Sequence, residues 1–454
     1  MSGSGRAEAR GRLLLIRGRE EAYSQRAGMH KTLQEGIYFA RCEKPPAFFT
    51  FLLLEPSSAE VTVQEAAGLL AKLWKLYAGL KDGAVPDLPG IEVPDGDLCV
   101  LLGLGARAFE LPGRHADPAP VPRAQADFRF ARPDQLGGRI CDGAGIYYES
   151  HTNPADAAFA VQFTANTQLA VERAVVETWK LLHDEAPPKG KPALEIHAVY
   201  GGSQRDDLRS WLDFHDGISN IADDEREGVI MIRRPSPAGA EPDPDAWTYG
   251  GSYLAFMRLY IDLEKWRAQG ATKQAALVGR DKLTGCPLID DNDAFPGCTP
   301  SKPLKDASPA VLEKGHALSE AIDLSHIQRA RHHIGPHGAA AHTAAAAAVK
   351  ERRIFRQGYP FLETLESCPG HRVGTNFVSF QWSPGVVTEI LGVDSWLGRT
   401  NFGGDSEGSD SQVSFVKARA AGFFLVPPRK PPTGTERFPG ERALTLAAGD
   451  LVPA

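Results

Sequence analysis

FAVQFTANTQLAVERAVVETWKLLHDEAPPKGKPALEIHAVY, residues 159–200, carries two different hydrophobic periods in one run. Phe159, Val161 and Phe163 alternate with Ala160, Gln162 and Thr164, which predicts a half-buried strand. Val171, Val175, Trp179 and Leu182 follow at spacings of four, four and three, which predicts a helix with one buried stripe. Leu194, Ile196, Ala198 and Tyr200 alternate again, so the run is a β-α-β unit. The same order stands upstream. Ala47 to Leu54 (AFFTFLLL) is an apolar run before Pro56 and predicts a buried strand. Thr62 opens T-V-Q-E with Glu65 three residues on, a capping-box pattern, and Ala66, Leu69, Leu70, Leu73, Tyr77 and Leu80 then recur at helical spacing as far as Gly83. Leu98 to Leu104 (LCVLLGL) predicts the closing strand. Two β-α-β units in succession make the ferredoxin-like arrangement, with residues 105–156 as a Gly/Pro-rich insertion between them.

Downstream the alternation of strands and helices returns. Residues 235–250 (PSPAGAEPDPDAWTYG) read as a linker or long loop. Tyr253 to Ile261 is rich in aromatic and branched residues and leads into Asp262, an N-cap for the short helix LEKW. Helices are expected at 308–321 and 339–353, and strands at Asn376 to Trp382 and Gly422 to Val426. The expected fold class is therefore α+β, with two ferredoxin-like domains, each an antiparallel sheet with helices packed on it, as in a dimeric α+β barrel. The first domain covers 30–225 and the second 226–430; a Pro-rich tail, 431–454, is expected to be extended over the surface or disordered.

Composition narrows the partners. The 454 residues suffice for two to four domains. Lys+Arg 50 against Asp+Glu 57 leaves a net charge of −7, which gives no concentrated basic face for nucleic acid or an anionic membrane. No apolar run approaches the roughly 20 residues of a membrane-spanning helix. The N-terminal stretch holds only the short run Leu13 to Ile16, without the apolar core of a secretory signal, so a cytoplasmic protein is expected. Six cysteines without C-x-x-C spacing are expected to be reduced thiols.

Several constellations compete for the chemistry. Gly103-Leu104-Gly105-Ala106-Arg107-Ala108 follows a strand and fits G-x-G-x-x-A, the dinucleotide fingerprint. That motif needs a helix of several turns, and Pro112-Gly113 interrupts it, so a strand leaving the sheet through a glycine turn is expected instead. His332, His333, His337 and His342 are interrupted by Gly335-Pro336 and read as solvated loop histidines. The acidic run Asp290-Asp291-Asn292-Asp293 lacks the glycine and terminal Glu of a calcium loop. Asp216 lies in the turn-like F-H-D-G-I-S-N, His326 at the end of an apparent helix in L-S-H-I-Q-R-A, and Arg356 before a glycine turn in R-I-F-R-Q-G-Y-P. Each alone has a plain explanation: turn residue, core histidine, solvated charge.

Taken in order, D-F-H-D-G-I-S-N (213–220), G-G-S-Y-L-A-F-M-R-L-Y-I-D-L-E-K-W (250–266), L-V-G-R-D-K-L-T-G-C-P-L (277–288), H-I-Q-R-A (326–330), I-F-R-Q-G-Y-P (354–360), F-V-S-F-Q (377–381) and G-F-F-L-V-P-P (422–428) resemble successive landmarks of the dye-decolorising peroxidases. The resemblance covers about residues 30–430. It implies a haem enzyme of two ferredoxin-like domains, with haem b held mainly by the second. It makes His326 the proximal iron ligand, Asp216 the distal carboxylate and Arg356 the distal arginine. Arg329, Arg331 or His333 is then a haem-propionate contact, and Phe377 and Phe380 give either an apolar wall to the pocket or ordinary core packing. It further implies that hydrogen peroxide is reduced through a ferryl intermediate while dyes, phenols or another small organic reductant lose electrons singly. Tyr359, Trp382 and Trp396 stand near the distal segment as possible electron relays.

The chemistry suits those assignments. A neutral imidazole binds iron, a carboxylate within reach moves a proton between the peroxide oxygens, and a guanidinium stabilises the charge that develops as the O–O bond breaks. A carboxylate base implies activity in mildly acid solution, since the reference pKa of Asp is about 3.9. The alternatives are a haem-binding or haem-handling protein without turnover, or a dedicated oxidant of one small metabolite. A homo-oligomer is compatible with either. The sequence departs from the family pattern at Asp213, which stands where the G-x-x-D-G motif opens with glycine, and at Gln328 and Arg331-His332-His333 in the propionate region.

Overall fold

A computed structural model describes residues 32–37, 45–114, 157–217, 220–221, 223–233, 245–286, 325–327, 353–366, 370–391, 416–429 and 436–445. The helix expected at 308–321, all but the last residue of that expected at 339–353, the histidines at 332, 333, 337 and 342, the acidic run 290–293, Arg329, Arg331 and Trp396 lie outside these residues. Among the described residues no helix is long and apolar enough to cross a membrane.

The first half consists of β1 (Phe48–Pro56), α1 (Val63–Lys81), β2 (Cys99–Leu104), β3 (Phe159–Ala165), α2 (Gln168–Asp184) and β4 (Leu194–Ser203). The capping box forms as expected: Thr62 Oγ1 accepts from Glu65 N at 3.3 Å, and Glu65 Oε2 accepts from Thr62 N at 2.8 Å. Helix α3 (Asp223–Ile230) leads to the second half, which comprises β5 (Ser252–Ile261), α4 (Leu263–Ala268), α5 (Gly270–Val278), β6 (Phe355–Thr364), β7 (His371–Gln381), α6 (Pro384–Leu391) and β8 (Val416–Val426). Asp262 caps α4 by accepting from Lys265 N at 3.1 Å. The eight strands form one sheet in the order β4-β1-β3-β2-β8-β5-β7-β6, antiparallel throughout. Each half repeats one permutation, fourth-first-third-second, which is the ferredoxin-like order. The halves join where Leu104 pairs with Leu425.

The sheet curls until its outer strands, β4 and β6, face each other. Side chains, not a backbone ladder, close that seam: Asn376 Nδ2 donates to Gly201 O at 2.9 Å, and Arg258 Nη1 donates to the same oxygen at 3.3 Å. Gly202 is required there, because a Cβ would lie 2.8 Å from Tyr359 O. The barrel interior is aromatic, with Phe49 stacked on Tyr359 and Phe51 on Phe256, each pair 4.4 Å between ring centroids. Helices α1 and α2 cover the outer face of the first half, where Leu52, Leu54, Val161 and Phe163 belong to a second buried cluster.

Several expectations are corrected. Strand β3 is buried along its whole length, not half-buried, because the opposite half of the barrel covers its inner face. On α2 the buried stripe runs through Ala170, Val171, Ala174, Thr178 and Leu182, while Trp179 is exposed. Part of the tail is folded: α7 (Glu441–Thr445) packs on α1, and Phe438 and Leu444 enter the main core because they are its apolar residues. Cys286 is disulfide-bonded, against the expectation of reduced thiols, whereas Cys99 is free as expected. After β2 the chain enters only a five-residue 3-10 helix, Ala106–Glu110. Its glycines serve packing, since Cβ atoms at 103 and 105 would lie 2.8 Å from Phe424 Cβ and 2.3 Å from Ala157 O.

Candidate active site

Arg356 was expected just before a glycine turn, but it lies within β6, a strand that the sequence pattern did not reveal. Pro360 is tolerated in this strand because β6 is an edge and needs no ladder bond on its outer side. Arg356 pairs with Ser379 and Gly358 with Phe377 on β7. Strand alternation places Arg356, Gly358, Phe377 and Ser379 on the outer face. Phe355, Tyr359, Val378 and Phe380 enter the barrel interior. Phe380 therefore does not wall the site that holds Arg356; it stacks on Phe355 at 6.3 Å. Tyr359 is likewise an interior residue, fully buried, and Trp382 is exposed.

The segment 208–217 delivers Asp216 to the same face. Arg209 and His215 form an isolated bridge, and Asp216 N donates to Leu208 O at 3.0 Å, closing a tight turn. Phe214 anchors this turn, packing edge-on against Trp266 at 6.2 Å. Asp213 sits at φ 66°, the left-handed conformation for which the family motif supplies glycine. Asp is among the few side chains that tolerate it. Its carboxylate is satisfied by Lys282 at 3.4 Å and Arg205 at 3.8 Å. At Asp216, Oδ1 accepts from Gly217 N at 2.7 Å. The other oxygen lies over β6: a Cβ at Gly358 would be 2.4 Å from Asp216 Oδ2. Gly358 is thus a place where only glycine lets the carboxylate approach the strand. Asp216 is exposed and Arg356 is half-buried.

His326 and Ile327 are helical, and the Ser325–Ile327 segment docks on the end of α5. Gly279 ends that helix at φ +83°, and a Cβ there would meet Ser325 Oγ at 2.3 Å and Ile327 Cγ1 at 2.7 Å. Gly279→Ala is expected to cost about 1–2 kcal/mol through left-handed strain and the lost seat. Chemical denaturation measures that cost, and haemin titration should show weaker uptake by the variant. Burial lowers the pKa of His326 to about 3, reinforced by the positive charges of Arg356 and Arg280. The imidazole is therefore neutral through the ordinary pH range, the form that binds a metal.

The structure brings Asp216, Arg356 and Phe377 to one face of β6 and β7 and sets His326 within electrostatic range of Arg356. Arg329 lies outside the described residues. Two residues escaped the sequence reading. Arg280, buried and donating to Gly285 O at 2.8 Å, is the second cation acting on His326. Asn220 bonds the backbone of Arg356 and was visible only as the end of D-G-I-S-N. A neutral, half-buried imidazole, a carboxylate with one oxygen turned to the strand, and two guanidinium groups suit a haem, whose iron takes one protein imidazole and whose propionates take cations.

Residues 207–431 match the model of the Dyp-type peroxidase C-terminal family. Deferrochelatases of Shigella flexneri serotype 5b (strain 8401) and Escherichia coli (strain K12) are each 27% identical over 220 residues, 45% of this chain and 48% and 47% of theirs. The match thus spans about half the length of these curated relatives. Among solved structures, ferric DtpA from Streptomyces lividans is similar with a TM-score of 0.61 at 18% identity, over 88% of this chain and 93% of that one. A DyP-type peroxidase from Cellulomonas bogoriensis gives 0.58 at 18% identity over 88% and 94%. DypB from Rhodococcus jostii RHA1, in complex with heme, gives 0.52 at 17% identity over 87% and 96%. At these identities the likeness is one of fold.

Proposed function

Since this chain belongs, through residues 207–431, to the Dyp-type peroxidase family, we propose that it is a haem peroxidase that reduces hydrogen peroxide and oxidises a small organic reductant by one-electron steps. The observation that carries this reading is the convergence on β6: Asp216 Oδ2 against Gly358, two residues from Arg356 on the same face.

His326 would hold haem b through its imidazole, with Arg280 as a nearby cation. The bound haem supplies the redox chemistry that splits peroxide. The Asp216 carboxylate, fixed by the Gly217 amide at Oδ1, takes a proton from peroxide and returns it to the departing oxygen. The Arg356 guanidinium stabilises the negative charge on that oxygen until the proton arrives. Phe377 gives the face an apolar neighbour beside these polar groups.

Haemin titration of the purified chain, followed by peroxide and a phenol or dye, tests this reading. One saturable haem per chain and turnover well above that of free haemin are expected, with haem uptake lost in His326→Ala. Turnover no faster than free haemin overturns it. The name of the curated relatives, deferrochelatase, favours a second reading in which haem is handled rather than used. In that case the haem spectrum fades without peroxide and a chelator detects released iron.

A further inference from the structure

We propose that Asn220 is a positioning residue that sets Arg356 relative to Asp216, an inference that rests on the peroxidase reading of the same site. Among the described strands β6 pairs only with β7, so one row of its backbone groups faces away from that ladder. In an antiparallel strand a residue turns its N–H and C=O to the same side, and at Arg356 both turn to Asn220. Asn220 Nδ2 donates to Arg356 O at 2.6 Å, and Asn220 Oδ1 accepts from Arg356 N at 2.9 Å. A primary amide offers the donor and acceptor of a peptide unit, so one side chain replaces a missing neighbouring strand at one residue.

The turn that carries Asp216 also carries this amide, since Asn220 N donates to Gly217 O at 3.0 Å. The carboxylate lands on Gly358 and the amide on Arg356, two positions apart on one strand. The spacing of acid and guanidinium is therefore set by one short turn and one strand, not by two independent loops. Other contacts hold β6 in place: Arg353 pairs with Glu225 at 2.8 Å, and Arg226 lies 3.9 Å over the Phe355 ring. Loss of the amide should thus loosen Arg356 without unfolding the sheet.

The test compares Asn220→Ala and Asn220→Asp with the parent chain. The Asp variant keeps the acceptor for Arg356 N and loses the donor. Hydrogen exchange of the haem-free chain should show the Arg356 amide exchanging at least about tenfold faster in Asn220→Ala, with β1 amides unchanged. In the haem-loaded chain, kcat/KM for peroxide should fall roughly 10- to 100-fold with KM for the reductant unchanged, and the Asp variant should lie between. Unchanged exchange at Arg356, or faster exchange in β1 as well as β6, overturns the inference. So does unchanged peroxide kcat/KM in Asn220→Ala while Arg356→Ala loses it, an outcome that leaves the peroxidase reading standing. If Arg356→Ala itself keeps full peroxide turnover, the peroxidase reading fails first.

Discussion

Replacing Arg356 with alanine is expected to lower kcat/KM for hydrogen peroxide by about 10²- to 10³-fold, the loss typical when a fixed charge-stabilising donor is removed from a reacting oxygen. The fold should survive. Asn220 bonds the backbone of residue 356, not its side chain, and the register that sets residue 356 opposite Ser379 does not depend on the guanidinium. Arg356→Lys keeps the charge but not the planar fork, so it should recover only part of the rate. Haem uptake by both variants should stay close to that of the parent, because His326 is untouched. Stopped-flow mixing of loaded protein with peroxide measures the step directly. A rate in Arg356→Ala within about threefold of the parent would remove this guanidinium from the chemistry.

Gly358→Ala is expected to do nearly as much harm with a single methyl group. Its Cβ would stand 2.4 Å from Asp216 Oδ2, so the carboxylate must retreat by about an ångström to reach ordinary contact. A displacement of that size at a proton-transferring group costs on the order of 10²-fold. The backbone at Gly358 carries no positive φ, so the effect should come from the collision and not from strand strain. Denaturation should therefore show little loss of stability, while peroxide turnover drops towards that of Asp216→Ala, itself expected to lose about 10²- to 10⁴-fold. Full activity in Gly358→Ala would mean that Asp216 does not work from its place over β6.

Much of the fold is legible because the two kinds of burial leave different periods. The capping box at Thr62, the strand at Tyr253 to Ile261 and the cap at Asp262 are local signals, and each appears where the pattern puts it. Strand β6 was not legible. Its glycine and proline imitate a turn, and only its position at the sheet edge, beneath a carboxylate, explains why both are accepted. The double burial of β3 was hidden for a related reason, since Ala160, Gln162 and Thr164 look solvent-facing until the second half closes over them. At the site, Asp216, His326 and Arg356 were found through an ordered set of motifs, not through spacing. Phe377 and Phe380 could not be separated by type, yet three residues along a strand reverses the side on which a ring projects. Asn220 was missed because its partners are backbone atoms 136 positions away, which no local pattern encodes.

A tandem sheet laid side by side has two strands of equivalent rank, β2 and β6, that end their halves in the same permutation. The first is hydrogen-bonded on both flanks, by β3 and β8, whereas the second, among the described strands, is hydrogen-bonded to β7 alone and meets β4 through side chains. A margin without a backbone ladder can receive a side-chain clip from a passing loop, as β6 does from Asn220. Symmetry of the duplicated architecture is thus broken by how the copies were joined: the same position in the permutation is a central strand in one copy and a marginal one in the other.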